Sequence, residues 1–256
     1  MDRDAGDARL GAPRMTEDLV PSERRGNRLL TALPPADLAL LKPHLKQVSL
    51  EQGAVVVRSG DRREYVYFPH SGAISFMLDM PNGATIATAM IGREGALGAL
   101  SILGLGPSRS SVTAVVRVSG IASQISVSRF HAAYMGSSAI RDVVQAHTGA
   151  ILMQLQHIAA CNGLHSVGAR LARWLLELHD RTEGNILSVT QGTLSQLLGV
   201  RRTTVTQMVA KLSAVGAIRS DRRGLIEIDR VRLEEASCEC YRIMRRETDR
   251  IVPDKP

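Results

Sequence analysis

Apolar residues change their spacing several times along the 256-residue chain, and each change marks a boundary. From Asn27 to Leu45, NRLLTALPPADLALLKPHL suits two short helices, the second starting near Pro35, where a fixed proline φ is tolerated in a first turn. The pattern then becomes β-branched and alternating, VSLEQGAVVVRSGDRREYVYFPHSGAISFMLDMPNGATIATAMIG, cut by Gly and Pro every several residues. That texture predicts short antiparallel strands in a small barrel or sandwich, with Asn82-Gly83 at a hairpin turn. The segment SSVTAVVRVSGIASQISVS extends it to about Ser128. From Ser137 the period is helical: Ile140, Val144, His147, Ile151, Leu155 and Ile158 recur at three- and four-residue steps over about six turns. So long a stripe predicts a parallel helix pair joining two copies of the chain, with His147 on the seam, in preference to packing on the chain's own strands. Gly163 is expected to end that helix. His165 to Arg181 predicts another, with Val167, Leu171, Trp174, Leu175 and Leu178 on its apolar face. Residues 1–26 carry Gly, Pro and charge without apolar period and read as a disordered arm.

The stretch QGTLSQLLGVRRTTVTQMVAKLSAVGAI predicts two helices joined by a short turn. Thr190 can cap the first, which runs to about Leu198, and Gly199 supplies a turn position tolerant of positive φ. The second runs from about Arg202 to Val215 and ends at Gly216. Val205, Val209 and Leu212 share its inward face, so Arg202, Thr203, Thr206 and Gln207 project outward together. Those side chains suit base edges in a DNA major groove: arginine pairs with guanine, glutamine with adenine, and threonine offers a hydroxyl or meets a thymine methyl. Arg201 and Lys211 flank them as phosphate contacts. The following AIRSDRRGLIEI reads as two short strands around a basic turn, a wing whose Arg222 and Arg223 would hold phosphate.

Charge sharpens that picture. The formal net charge is +7, and between Arg201 and Arg232 eight basic residues face only three acidic ones. A local excess of this kind favours a polyanion, because neutralised phosphates release condensed counterions. No run of about 18 apolar residues offers a membrane span, and the N-terminus lacks the apolar core of a secretory signal, so a soluble, cytoplasmic chain with no membrane partner is expected. The three cysteines, Cys161, Cys238 and Cys240, have no spacing for a disulfide framework or a four-ligand zinc site. Cys238 and Cys240, two apart on an expected helix, would face different directions, and all three read as reduced packed or surface thiols. Residues 1–160 hold no cysteine for an iron–sulfur cluster, and no histidine spacing singles out a haem ligand pair. There is no P-loop lysine motif, nucleophile elbow or His-Glu-x-x-His helix, and Gly104-Leu-Gly106 is followed by Pro107 with no βαβ unit around it. No enzyme activity, catalytic residue, cofactor or metal is expected.

In its order of parts, and in the segments YFPHSGAISFML, GREGALGALSILGLGPSRSSV and QGTLSQLLGVRRTTVTQMVAKLSAVGAI, the chain resembles the Crp/Fnr family of bacterial transcription regulators over about residues 27–250. The resemblance implies an α+β architecture: a jelly-roll β-barrel of the cyclic-nucleotide-binding type over 27–136, a dimerisation helix over 137–162 and a winged helix-turn-helix over 163–252. It also implies a homodimer on double-stranded DNA with a near-palindromic operator, RNA polymerase as a further partner, and a small-molecule effector held by the barrel. Gly98 and Arg109-Ser110 keep the spacing of the family's phosphate-binding cassette, so an anion could meet a guanidinium and a hydroxyl there. Ala99 stands where cyclic-AMP-binding members carry a ribose-holding glutamate, and Glu94 lies before the cassette glycine and is no substitute, so the effector expected is not cyclic AMP. Best-known members carry Ser-Arg-Glu and a later Arg on the reading helix. Here Arg201, Arg202, Thr203 and Gln207 occupy those positions, which implies a different half-site, and Arg201 is a poor helix cap at a cost of roughly 1 kcal/mol. The alternative reading is a barrel that binds a small anion and signals through protein partners without touching DNA.

Overall fold

The computed structural model describes residues 26–103, 109–221 and 223–254. The expected arm lies outside the described residues except for Gly26, as do Gly104, Gly106, Pro107 and Arg222. The first helices form where proline and asparagine allow them. Asn27 is fully buried and its side chain caps α1 (Arg28–Thr31), while its amide donates to the Pro69 and Gly95 carbonyls. Helix α2 (Pro35–Leu41) begins on the proline and runs into a short 3-10 turn, Lys42–His44.

Seven strands follow: β1 (Lys46–Leu50), β2 (Val55–Val57), β3 (Tyr65–Pro69), β4 (Ala73–Asp79), β5 (Thr85–Ile91), β6 (Thr113–Val118) and β7 (Gly120–Ser126). They make two antiparallel sheets, ordered β1-β7-β3 and β2-β6-β4-β5, in place of one closed barrel. Val48, Leu50, Ile74, Ala114, Val116 and Ala122 meet between the sheets. The hairpin from β4 to β5 turns at Asn82-Gly83 as its sequence predicts: Gly83 has φ 81°, and Asn82 Oδ1 accepts from the Ala84 amide at 3.0 Å. At the β3–β4 turn, a Cβ on Gly72 would lie 2.5 Å from the Val118 carbonyl oxygen, so only glycine fits.

Each sheet is apolar on its outer side too. Val66, Phe68 and Ile125 of the β1-β7-β3 sheet pack with Leu29, Leu30, Leu41 and Phe130, the last on α3 (Val127–Gly136). Helix α4 (Ser138–Leu164), capped by Ser137, covers the same region. The other sheet turns Ala73, Met77, Ala87 and Met90 toward the C-terminal helices. These are α5 (Val167–His179), α6 (Gln191–Leu198), α7 (Arg202–Ala214), α8 (Arg230–Ala236) and α9 (Cys240–Ile251), with a small sheet of β8 (Ile186–Ser188), β9 (Ile218–Ser220) and β10 (Leu225–Ile228) ordered β8-β10-β9. Among the described residues no helix is long and apolar enough to cross a membrane.

Three expectations need correction. The long helix continues through Gly163 to Leu164, and His165 is its C-cap, not part of α5. Of the stripe, Ile140, Val144, His147, Ile151 and Ile158 are buried within the chain's own packing and Leu155 alone is exposed, so it is not a free seam; periodicity reports that a face is covered, not by what. Cys161, Cys238 and Cys240 do not scatter: all three are buried and converge with His165 where α4 ends and α9 begins.

His147 carries a cost that pH exposes. It is 1% exposed, and its Nε2 donates to the Ala96 carbonyl at 3.0 Å as a neutral ring. Burial lowers its pKa from 6.5 to about 4, against smaller opposing effects of the Ala96 bond and the Glu94 charge. As pH falls through 6.5 the unfolded chain takes up this proton and the folded chain does not, so stability present above 6.5 is lost progressively down to about pH 4. Between pH 7 and 5 the expected loss is about 2 kcal/mol in urea unfolding. The His147→Gln variant, which keeps an amide donor for Ala96, should lack that part of the pH dependence; an unchanged slope would contradict the assignment.

Candidate nucleic-acid interface

Helices α6 and α7 are placed by a buried scaffold and a tight turn. Thr190 caps α6, its hydroxyl accepting from the Thr193 amide at 3.1 Å. At the other end Gly199 takes the left-handed conformation (φ 65°, ψ 36°), and the Val200 carbonyl accepts from the Ser195 hydroxyl. Arg170 of α5 donates to the Leu198 carbonyl at 2.8 Å, satisfying a helix-end acceptor from below. Leu194, Leu197 and Leu198 of α6 then pack with Val205, Val209 and Leu212 of α7 around Leu171, Trp174 and Leu175 of α5.

With that face of α7 buried, the opposite arc is fixed. Arg202, Thr203, Thr206 and Gln207 are all exposed, spread over about 140° of the helix circumference. Ala210 continues the arc one turn further with a small side chain. Arg202 lies across the start of α6, where a Cβ on Gly192 would come within 3.1 Å of its Nη2. The Thr206 hydroxyl lies 2.7 Å from Gln191 Oε1 and 3.0 Å from the Arg202 carbonyl, so its proton is engaged within the protein. Gln191 and Gly192 are therefore part of the surface, which pattern reading of α7 alone misses. Arg201 is extended (φ −66°, ψ 147°) and no side chain caps α7, which leaves the helix's first N–H groups open beside an exposed guanidinium.

The wing is a three-stranded sheet, since β8 joins the expected pair β9–β10. Its turn is held by Asp221 Oδ1, which accepts from the Arg223 and Leu225 amides at 2.9 and 2.8 Å, and by Gly224 at φ 85°. Arg223 is exposed at the tip, as is Lys211 on α7. Arg219, which pattern reading did not single out, is exposed on β9 and lies 3.5 Å from Glu227.

The cassette residues behave differently from one another. Gly98 lines a cavity of about 510 Å³ with Arg58, Arg62, Arg63, Tyr65 and Tyr67. A Cβ at Gly98 would lie 2.8 Å from the Tyr65 carbonyl oxygen, and its φ is 88°. Burial, then the Tyr65 and Glu64 charges, push the Tyr67 phenol up to about 12, and burial lowers the Arg63 pKa. Ser110, in contrast, is buried and its hydroxyl donates to the Val112 carbonyl at 2.6 Å, while Arg109 donates to the Gly60 carbonyl at 2.7 Å. Each thus has one partner in the chain's own backbone, and Arg109 is exposed. Glu94 is paired with Arg181: burial pushes its carboxyl up, but the adjacent guanidinium and hydrogen bonds outweigh this and hold it below the usual range.

The helix-turn-helix is docked on the strand-rich half. Gln52 Nε2 donates to the Ser188 and Arg117 carbonyls, and Arg117, buried and lowered to about 10 by desolvation, reaches Ser75 Oγ at 2.7 Å and Gln196 Oε1 at 3.5 Å. The Gly199 turn rests on Ile86 of β5.

Two family models match the chain: the cyclic nucleotide-binding domain over residues 47–136 and the Crp-like helix-turn-helix domain over residues 169–236. A CRP-like cAMP-activated global transcriptional regulator of Mycobacterium tuberculosis is 27% identical over 223 residues, covering 80% of this chain and 94% of the relative. Among solved structures, FixK2 from Bradyrhizobium japonicum aligns with a TM-score of 0.63 at 18% identity over 76% of this chain and 98% of that one. The c-di-GMP responsive global regulator CLP of Xanthomonas campestris aligns with a TM-score of 0.63 at 18% identity over 76% and 99%. At those identities the two structures speak for a shared fold alone.

The contact between turn and sheet is testable. In Gly199→Ala the new Cβ would lie 2.8 Å from Ile86 Cδ1 in a left-handed conformation, and the expected loss is about 1–3 kcal/mol in chemical unfolding. In an Ile86→Ala background the steric part should disappear, leaving about 1 kcal/mol. Equal costs in both backgrounds would place the strain in the backbone only.

Proposed function

Because the chain belongs to the Crp/Fnr family of DNA-binding transcription regulators, we propose that it reads its operator through Arg202, Thr203 and Gln207, with the Thr206 methyl facing a thymine. The observation that carries this reading is the exposed polar arc of α7 opposite the buried Val205, Val209 and Leu212. Arg202 suits guanine O6 and N7, and Gln207 suits adenine N6 and N7. Arg201, Lys211 and Arg223 hold phosphate, together with the uncapped start of α7, where helix N–H groups favour an anion; Arg222 joins them by its place in the wing sequence. In selected-operator binding assays, Arg202→Ala should cost about 1–3 kcal/mol and relax preference at one base pair. Arg223→Ala should weaken all sequences alike and lower the slope of log K against log salt by about 1. Equal loss of preference in both variants would refute the division of labour.

The regulator works as a homodimer in this reading, with a near-palindromic operator and heads in successive major grooves. Support comes from the side of α4 that the chain leaves uncovered. Gln145, Gly149, Leu152, Gln156, Ala159 and Gly163 are exposed and follow one another at alternating four- and three-residue steps, the repeat of a helix pair. The seam thus lies opposite the His147 stripe. RNA polymerase contact and a cytoplasmic site of action follow from the same role. For the effector, the cavity beside Gly98 supports a small anion facing Arg58, Arg62 and Arg63. Ala99 is buried among apolar side chains and offers no carboxylate for a ribose, which argues against cyclic AMP, although the Mycobacterium relative is described as activated by it. Leu152→Glu places a charge on the seam and should convert a dimer to monomer in sedimentation while leaving the helical signal intact; a dimer that survives it would move the interface elsewhere.

A further inference from the structure

One cluster of side chains has no part in DNA reading. Cys161 sits one turn before the end of α4, and His165 caps that helix four residues later. Cys238 and Cys240 flank the start of α9 and bring their thiols to the same point. One donor atom from each of the four residues lies within 4.8 Å of all the others. The Sγ atoms of Cys161 and Cys238 are 3.5 Å apart, and Cys240 Sγ is 3.6 Å from His165 Nδ1. All the cysteines of the chain are thus spent here, and all are buried.

We propose that Cys161, His165, Cys238 and Cys240 bind a single thiophilic divalent ion, zinc by donor chemistry, in a tetrahedral Cys3His site. The dimensions suit one ion. A zinc–sulfur bond of about 2.3 Å sets thiolate sulfurs about 3.8 Å apart along a tetrahedral edge; the Cys161 and Cys238 sulfurs, at 3.5 Å, lie just inside that value, and no donor pair is wider than 4.8 Å. An iron–sulfur cluster needs its ligand sulfurs spread wider than these. Three soft thiolates and an imidazole select zinc over magnesium or calcium, which require oxygen donors.

The surroundings are those a metal site needs. His165 Nε2 lies 3.1 Å from Glu239 Oε1, so this nitrogen carries the proton and donates it to the carboxylate, leaving the Nδ1 lone pair directed at the thiols. A carboxylate in this position fixes the tautomer and orientation of a metal-bound imidazole. Arg173 of α5 is fully buried and its charge faces Cys161; its Nη1 is paired with Glu177, while Nε and Nη2 have no hydrogen-bond partner. On binding, three S–H protons leave to solvent as three metal–sulfur bonds form, and the imidazole gives its lone pair. The three thiolates carry −3 against the +2 of the ion, and the remaining negative charge faces Arg173, which it shares with Glu177. A buried cation that lacks enough partners in the thiol form gains an adjacent anion in the metal form. The ion would fasten the end of the long helix to α9, beside the His165-Ser166 junction where α4 gives way to the DNA-binding half.

The test uses the full chain, reduced, stripped with chelator and kept anaerobic. Titration with Co(II) should saturate at one equivalent, with sulfur-to-cobalt charge-transfer absorption and the intense visible bands of a tetrahedral thiolate complex, and Zn(II) should displace the cobalt. Cys240→Ser should weaken binding by about 100-fold or more, and Glu239→Gln, on a side chain 61% exposed and tolerant of change, by about 10–100-fold. The exposed Glu239 variant keeps the test sound where a buried cysteine substitution unfolds the chain. Absence of charge-transfer absorption in the wild type, or a Co(II) affinity unchanged in both variants, overturns the proposal. So does a reduced protein that takes up no metal and, on exposure to air, closes a Cys161–Cys238 disulfide instead.

Discussion

The two sheets of the N-terminal half are apolar on both of their faces, and the rest of the architecture follows from covering them. Val48, Ile74 and Val116 fill the space between the sheets, yet Val66 and Phe68 on one outer side and Met77 and Met90 on the other would meet water if the sandwich stood alone. A buried side chain of this size contributes about 1.5–3 kcal/mol relative to exposure. One outer side is covered by α1, α2, α3 and the first turns of α4, and the other by the helix-turn-helix itself. The helix-turn-helix is therefore part of the hydrophobic packing of the strand-rich half, and the exposed polar arc of α7 is what remains after that packing is satisfied.

Polar groups at this boundary obey the same constraint. Arg117 and Arg181 are taken out of water where the halves meet, and each finds a partner across it, Gln196 for one and Glu94 for the other. Glu94 is thereby committed to holding the halves together, which is why a carboxylate so close to Gly98 in sequence does not serve the neighbouring cavity. Ser110 and Arg109 each bond loop backbone, and the described lining of that cavity comes mainly from the β2–β3 segment, with its arginines and tyrosines.

Features set by neighbouring residues were legible in the sequence. The Asn82-Gly83 turn, the Thr190 cap, the left-handed Gly199 and the inward set Val205, Val209 and Leu212 each depend on atoms a few residues away, and each formed as its pattern required. What failed depended on distant partners. The α4 stripe announced a covered face, but its partners, Ala96 and Phe68 among them, lie in other elements; the surface left open, Gly149 to Gly163, is too small and polar to stand out by hydrophobicity. Arg202 lying over Gly192 and Thr206 bonding Gln191 join two helices across the turn. The convergence of cysteines joins positions 77 residues apart, and a spacing rule applied to Cys238 and Cys240 alone could not show it.

Gln52 to Ser188, Arg117 to Gln196, Glu94 to Arg181 and Ile86 beneath Gly199 span the junction between the halves at separate points. Because these contacts are spread over the junction, a rotation of the head would have to break several of them together, as a lever leaves one stop for another. A ligand that carries a population of such levers from 1:99 to 99:1 must prefer one stop by about 5.5 kcal/mol. One that fits both stops equally leaves DNA affinity where it was, however tightly it is held.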